Sequence, residues 1–256
     1  MEFLTSLDFS PVWQYRWPLF WGLVETLWMA ALAFAIAVPA GLGLALGRIY
    51  GGWLVNLPIM AFVDLMRFTP LLVQAVWIHF ALPAVTGMNF AATQSAMIAL
   101  SLHVTAYVCD VMRAGIIAIP KGQGEAARAL GMKRRAVFFH VTMPQVWPLV
   151  LPPLGNVAVA SFKLTTILGI LAVDDLMKVT NRISTLTFRT FEFYTTAAVI
   201  YLLVGLLLTF AVHRVERRFG ASRLERSAAR ADRASLAAAR GAVAAGPRTV
   251  EPPPDR

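Results

Sequence analysis

Five stretches of this chain are each long and apolar enough to cross a hydrocarbon core, which takes about 20 helical residues. They lie near Phe20 to Leu46, Asn56 to Pro83, Ala92 to Met112, Val146 to Val173 and Tyr194 to His213. The expectation is an all-α integral membrane protein with about five transmembrane helices. Composition agrees: the chain is 58% hydrophobic and only 14% charged, with a mean hydropathy of +0.64. A soluble domain keeps roughly 25% charged residues. Too little charge remains here to coat a water-facing surface.

Two of the five stretches carry irregularities. Asp64, Arg67 and Pro70 interrupt the second, which predicts a broken or tilted helix. The start of the fourth is ambiguous, because Ala136 to Val141 is also apolar and Pro144, Pro148, Pro152 and Pro153 crowd the entry. Ahead of the first span, Met1 to Pro18 starts acidic and sets Trp13, Tyr15 and Trp17 around Arg16. That reads as an interfacial aromatic belt before an uncleaved span, since a secretory signal starts basic. Residues 1–19 are therefore expected to form an outer interfacial segment, and residues 20–218 the membrane domain.

Lys and Arg placement orients the chain. With the amino terminus outside, the inner side holds Arg48, Arg113, Lys121, Arg128, Lys133, Arg134, Arg135, Arg214, Arg217 and Arg218, against Arg16, Lys178, Arg182 and Arg189 outside. The positive-inside rule then puts the carboxyl terminus in the cytoplasm. Residues 219–256 are Ala- and Arg-rich and close on Pro252, Pro253 and Pro254, which reads as a solvated, flexible tail. This distribution, rather than nucleic-acid binding, accounts for the net charge of +9. A single cysteine, Cys109, excludes a disulfide framework, and His79, His103, His140 and His213 lack ligand spacing, so no metal site is expected.

Between the third and fourth spans, residues 120–144 form an unusual loop. Pro120 and Gly122 break the preceding helix, and Glu125 to Leu130 can form a short one, with Glu125 at its positive end. Gly131 stands where a left-handed cap belongs. Ala126, Ala127 and Leu130 offer a small apolar patch, a second basic helix is expected from Met132, and Pro144 marks re-entry. A capped, exposed helix between two spans suggests a docking partner.

Gly124 leads into Glu125-Ala126-Ala127, followed after three residues by Gly131, and then by Val141, Met143 and Pro144. This spacing resembles the coupling-loop signature of ATP-binding-cassette (ABC) importer permeases. More narrowly, the chain resembles the polar amino acid permease family of the histidine, glutamine, glutamate and arginine type. "GLVETL" (Gly22 to Leu27), "RFTPLLVQ" (Arg67 to Gln74), "LPPLGN" (Leu151 to Asn156) and "FKLTT" (Phe162 to Thr166) carry the likeness further. The family usually has Arg-Gly-Thr-Pro at Arg67 to Pro70, Glu at Asp110, and Lys-Asp-Thr-Ser at Lys163 to Thr166. These departures fall in the spans and leave the coupling loop intact.

The resemblance implies a type I ABC importer permease fold and a transport subunit that is itself no enzyme. It implies a second permease, identical or paralogous, ABC ATPase subunits that hold ATP and Mg, and an extracytoplasmic solute-binding protein. This subunit would bind no cofactor, sit in the bacterial inner membrane and pass a polar amino acid or related zwitterion by alternating access. A self-sufficient proton-coupled carrier is the rival reading, weakened by the coupling loop and by the lack of an internal repeat.

Ionisable groups within spans cost about 2.5–3.5 kcal/mol on insertion scales, so each needs a reason. Asp64 with Arg67, and Asp110 with Arg113, stand three residues apart and can pair on one helix face. Lys163 has no acid within four residues, so its partner is either another helix or the solute. Asp64, Arg67, Thr69, Asp110, Lys163, Thr165 and Thr166 are the candidate solute pathway, and threonines in such helices also bond backbone carbonyls. Gly43 and Gly47 make a small-xxx-small step for helix packing.

Overall fold

The computed structural model describes residues 8–219, so the Ala/Arg-rich tail from Gly220 and residues 1–7 lie outside the described residues. Helix α1 (Ser10–Gln14) leads into α2 (Arg16–Tyr50), α3 (Gly52–Phe68), α4 (Leu71–Val76) and α5 (Leu82–Thr86). After these come α6 (Ala92–Ile117), α7 (Lys121–Ala129), α8 (Arg134–Val137), α9 (Met143–Leu168), α10 (Leu176–Thr187) and α11 (Thr190–Phe219). A π-helical turn over Trp77–Ala81 joins α4 to α5, and another over Phe138–Thr142 joins α8 to α9. No strand occurs among the described residues.

Four segments are long and apolar enough to cross a membrane: α2, α6, the α8–α9 run and α11. Where the second span was expected stands a bent pair, α3 with Leu71–Thr86, which meet at 108° and together are long and apolar enough for a fifth. The bend is written into Thr69-Pro70. A residue before proline is pushed out of helical geometry, and Thr69 sits at φ −99°, ψ 140°. Its hydroxyl donates to Leu65 O at 2.6 Å, satisfying a carbonyl at the broken end. Buried Gln74 closes the gap, its Nε2 lying 2.8 Å from Met66 O and 2.7 Å from Thr69 Oγ1. Gln74 Oε1 accepts from buried His103 Nδ1 at 3.1 Å, which ties the break to α6.

Helix α6 is the centre of the fold, with 67% of its most apolar stretch buried, whereas the same stretch of α11 is 6% buried and presents its leucines outward. Against α6 runs a ridge of α2 in which Met29, Ala33, Ala37, Gly41 and Ala45 recur every four residues, all buried. A Cβ on Gly41 would stand 2.6 Å from Val108 Cγ1 and 2.9 Å from the Cys109 amide nitrogen, so the close approach requires glycine. The expected Gly43–Gly47 step is corrected accordingly. Gly43 faces open space, Gly47 meets Ile59 of α3, and the true seam lies two residues earlier.

Two further corrections concern the fourth span and the segment after it. The span was expected over Val146 to Val173, but α9 begins at Met143 with Pro144 in its first turn and ends at Leu168. Thr142 is itself helical and the π turn over Phe138–Thr142 runs straight into α9, so Pro144 sits within a continuous helix, where a wider turn makes room for a residue without an N–H. Beyond it, the expected loop contains α10, an amphipathic helix capped by Asp175, whose carboxylate accepts from Lys178 N at 2.8 Å. Its buried residues Leu176, Val179, Thr180, Ile183 and Ser184 keep helical spacing and pack on α2 and α11. Of the aromatic belt expected before the first span, Trp13 and Trp17 are exposed, with Arg16 4.7 Å from the Trp13 ring centroid, while Tyr15 packs edge-on to Phe193 of α11 at 5.8 Å.

Candidate functional site

The loop between the third and fourth spans folds as α7, a connection through Gly131, and α8. Pro120 is the N-cap of α7, and Gly122 lies inside the helix rather than breaking one. Because α7 starts at Lys121, Glu125 stands at its fifth residue, not at its positive end as expected. The helix dipole therefore does not explain this glutamate.

The far end of α7 follows the expected chemistry. Gly131 N donates to Arg128 O at 2.9 Å and Met132 N to Ala127 O at 3.2 Å, the paired bonds of a Schellman cap. Gly131 has φ 86°, where a side chain would be strained. The apolar patch divides between two sides. Ala127 is buried, while Ala126 is exposed and Leu130 is 85% exposed. Gly124 faces Val137 of α8, where an added Cβ would make ordinary contact at 3.7 Å. The second basic helix starts at Arg134 rather than Met132, and through the π turn it runs unbroken into α9 and Pro144.

A second cluster lies deeper, toward the same end of the bundle. Arg48 Nη1 donates to Asp110 Oδ1 at 2.8 Å, and Arg67 Nη1 bonds Asp110 Oδ2. One carboxylate on α6 thus gathers a cation from α2 and another from α3. The two same-helix pairs expected from spacing are corrected: neither Asp64 with Arg67 nor Asp110 with Arg113 forms an ion pair. A carboxylate shared between three helices lowers the insertion cost of all three charges and holds the helices together. Arg67 also lies 5.6 Å from the Tyr107 ring centroid, and Arg48 Nε is buried without an acceptor. The cluster keeps a surplus positive charge. Arg48 and the Gln74–His103 bridge are members that spacing along the sequence could not reveal, since their partners are distant in the chain.

Lys163 lies elsewhere. With α9 ending at Leu168, it stands five residues from that end, about 8 Å at 1.5 Å per residue. That places it in the last third of the helix. Asn156, Ala160, Lys163 and Ile167 share one exposed face, and the Lys163 side chain makes no hydrogen bond or ion pair among the described residues. Thr166 Oγ1 donates to Lys163 O at 2.8 Å, and fully buried Thr165 donates to Phe162 O at 2.7 Å. Both hydroxyls, like that of Thr69, serve their own helix. Asp64 is half-buried.

Residues 37–221 match the family described as binding-protein-dependent transport system inner membrane component. The glutamine transport system permease GlnP of Escherichia coli K12 is 33% identical over 214 residues, covering 83% of this chain and 98% of that protein. The arginine ABC transporter permease ArtQ of Haemophilus influenzae is 36% identical over 178 residues, covering 67% of this chain and 80% of that protein. A solved amino acid ABC transporter with histidines superposes with a TM-score of 0.77 at 34% identity, over 83% of this chain and 99% of that one. The shared fold is that of a type I ABC importer permease. By the extent of these matches, this multi-pass protein belongs to the family of inner membrane components of binding-protein-dependent transport systems, a family of transport subunits rather than enzymes.

Proposed function

We infer that this chain is the membrane subunit of an ATP-driven importer for a polar amino acid or a related zwitterion. The carboxyl terminus faces the cytoplasm and the amino terminus the outside. The observation that carries the reading is α7, a glycine-capped helix held off the end of the bundle with Ala126 and Leu130 exposed. A surface of that kind fits a cleft on an ABC ATPase, which would hold ATP and Mg on its own residues. Gly124, Glu125, Ala126, Ala127, Leu130, Gly131 and Pro144 form the coupling element.

The continuous run from Arg134 to Leu171 links that element to Lys163. Movement of α7 on ATP binding would therefore reach the far end of α9 through one helical rod. The exposed face bearing Asn156 and Lys163 is too polar for lipid, so it faces a second permease, identical or paralogous, across the solute path. Asp64, Arg67, Thr69, Asp110, Lys163 and Thr166 are the candidate residues along it, with Lys163 placed to meet a solute carboxylate and fully buried Thr165 behind that face. An extracytoplasmic binding protein delivers the solute. The named relatives carry glutamine and arginine, which supports this solute class.

The test is uptake of labelled glutamine, arginine and histidine by vesicles holding the permease, its ATPase and its binding protein. Uptake should require internal ATP and persist when ionophores collapse ion gradients. Uptake that runs on a proton gradient without ATP would overturn the reading in favour of a self-sufficient carrier.

A further inference from the structure

A cleft of about 770 Å³ opens between α7 and the adjoining ends of α2 and α6. Its lining includes Lys121 and Arg128 from α7 and Arg134 and Arg135 from α8, with Glu125 as the one acid among these residues. All four cations are exposed, and none pairs with a carboxylate among the described residues. Beside them the walls are apolar: Tyr50, Ile117 and Phe139 also line the cleft and are 68%, 55% and 64% exposed.

Unpaired cations next to exposed apolar walls, at the ends of membrane spans, fit an amphiphile with an anionic head. A small aqueous anion would leave the walls wet. The protein's own tail carries arginines at 223, 226, 230, 233, 240, 248 and 256, the same sign of charge as the cleft. Basic pockets of this kind between spans on the cytoplasmic side suit acidic headgroups.

We propose that this cleft binds the headgroup of an anionic phospholipid, with its acyl chains lying along Ile117 and Phe139. The proposal rests on the orientation given above, because it needs this end of the bundle to face the anionic cytoplasmic leaflet. Lys121, Gly124, Glu125 and Arg128 line the cleft from one side of α7, at spacings of three, four and seven residues. Gly122, Ala126 and Ala129 lie on a separate, exposed side. Of the coupling element, Gly124 and Glu125 thus face the lipid and exposed Ala126 faces the ATPase, and the lipid sets where α7 stands.

The experiment is native mass spectrometry of the detergent-purified permease–ATPase complex, titrated with phosphatidylglycerol. Arg134→Gln with Arg135→Gln should weaken binding about 30-fold, as expected for two near-surface cations, and Arg128→Gln alone about 5-fold. Arg134→Lys with Arg135→Lys should restore binding, because the charge is kept. Arg217→Gln with Arg218→Gln, near the end of α11 and outside the cleft, should change nothing. Phosphatidylcholine should bind no tighter to the unmodified complex than to the glutamine pair, and inorganic phosphate should not displace the anionic lipid. Equal phosphatidylglycerol binding by the unmodified complex and every glutamine variant would overturn the proposal, as would displacement by phosphate. A topology reporter after Arg218 is read separately. If it lies outside while the lipid result stands, the orientation fails and the binding site does not.

Discussion

Arg48 and Asp110 are 62 residues apart in sequence, yet Arg48 Nη1 donates to Asp110 Oδ1 at 2.8 Å, so the end of α2 is tied into the body of α6. The Arg48 side chain is 11% exposed and Arg67, on the other carboxylate oxygen, 39%. The two arginines share an acid but differ in access to solvent, and that difference orders the effects of removing each.

Asp110→Ala would leave the largely buried Arg48 without a counter-charge, a loss of roughly 1–3 kcal/mol, below that of a fully buried pair because Asp110 itself is 31% exposed. Thermal unfolding in detergent should show a large drop for Asp110→Ala. Arg48→Met should lower stability more than Arg67→Met, whose pair is screened by solvent. Equal losses for the two arginine variants would mean that the exposure difference carries no energetic weight.

Gly131→Leu places a side chain at φ 86°, a strain of about 1 kcal/mol or more confined to the α7 cap. The spans should insert and pair normally, while copurification of the ATPase and solute uptake both fall. Leu130→Asp, which introduces charge on an 85% exposed position, should also weaken ATPase binding while the fold's melting temperature holds. Full ATPase binding and full uptake in Gly131→Leu would exclude this loop as the coupling element.

Lys163→Met removes the unpaired cation of α9 and keeps most of its unbranched side chain. Transport and solute-stimulated ATP hydrolysis should be abolished, with the complex still assembled. Failure to assemble, seen by size exclusion, would assign Lys163 to a helix partner instead of the solute.

Asp175 is fully buried at the head of α10, with Oδ1 bonded and Oδ2 without a partner. Burial pushes its carboxyl up from 3.8 to about 6. The folded state thus holds this proton more tightly than the unfolded chain. The stability it confers is fullest below pH 3.8 and is lost as pH rises through about 6. By pH 7.5 the ionised form costs about 3 kcal/mol. Asp175→Asn keeps the capping oxygen and removes the charge, so it should melt higher than the unmodified protein at pH 7.5 and about equally at pH 4. An unchanged gap across that range would show that this carboxylate does not titrate with folding.

Sequence determined what local chemistry can dictate. Runs of about 20 apolar residues must become helices in lipid, because no water is there to satisfy the backbone. Thr69-Pro70 breaks the second span because proline constrains its neighbour, and Gly131 caps α7 because glycine alone adopts that backbone without strain. Each effect acts within a few residues and is legible in order along the chain. Tertiary structure decided which charges meet. Spacing of three residues predicted Asp64 with Arg67 and Asp110 with Arg113, but a side chain pairs with whatever the packed helices bring within reach. The glycine seam at Gly41 lets α2 lie close against α6 and brings Arg48 to Asp110, and the bend at Pro70 leaves Arg67 beside the same acid. Packing also left Lys163 on an outward face, because no acid on the packed helices came within reach of it.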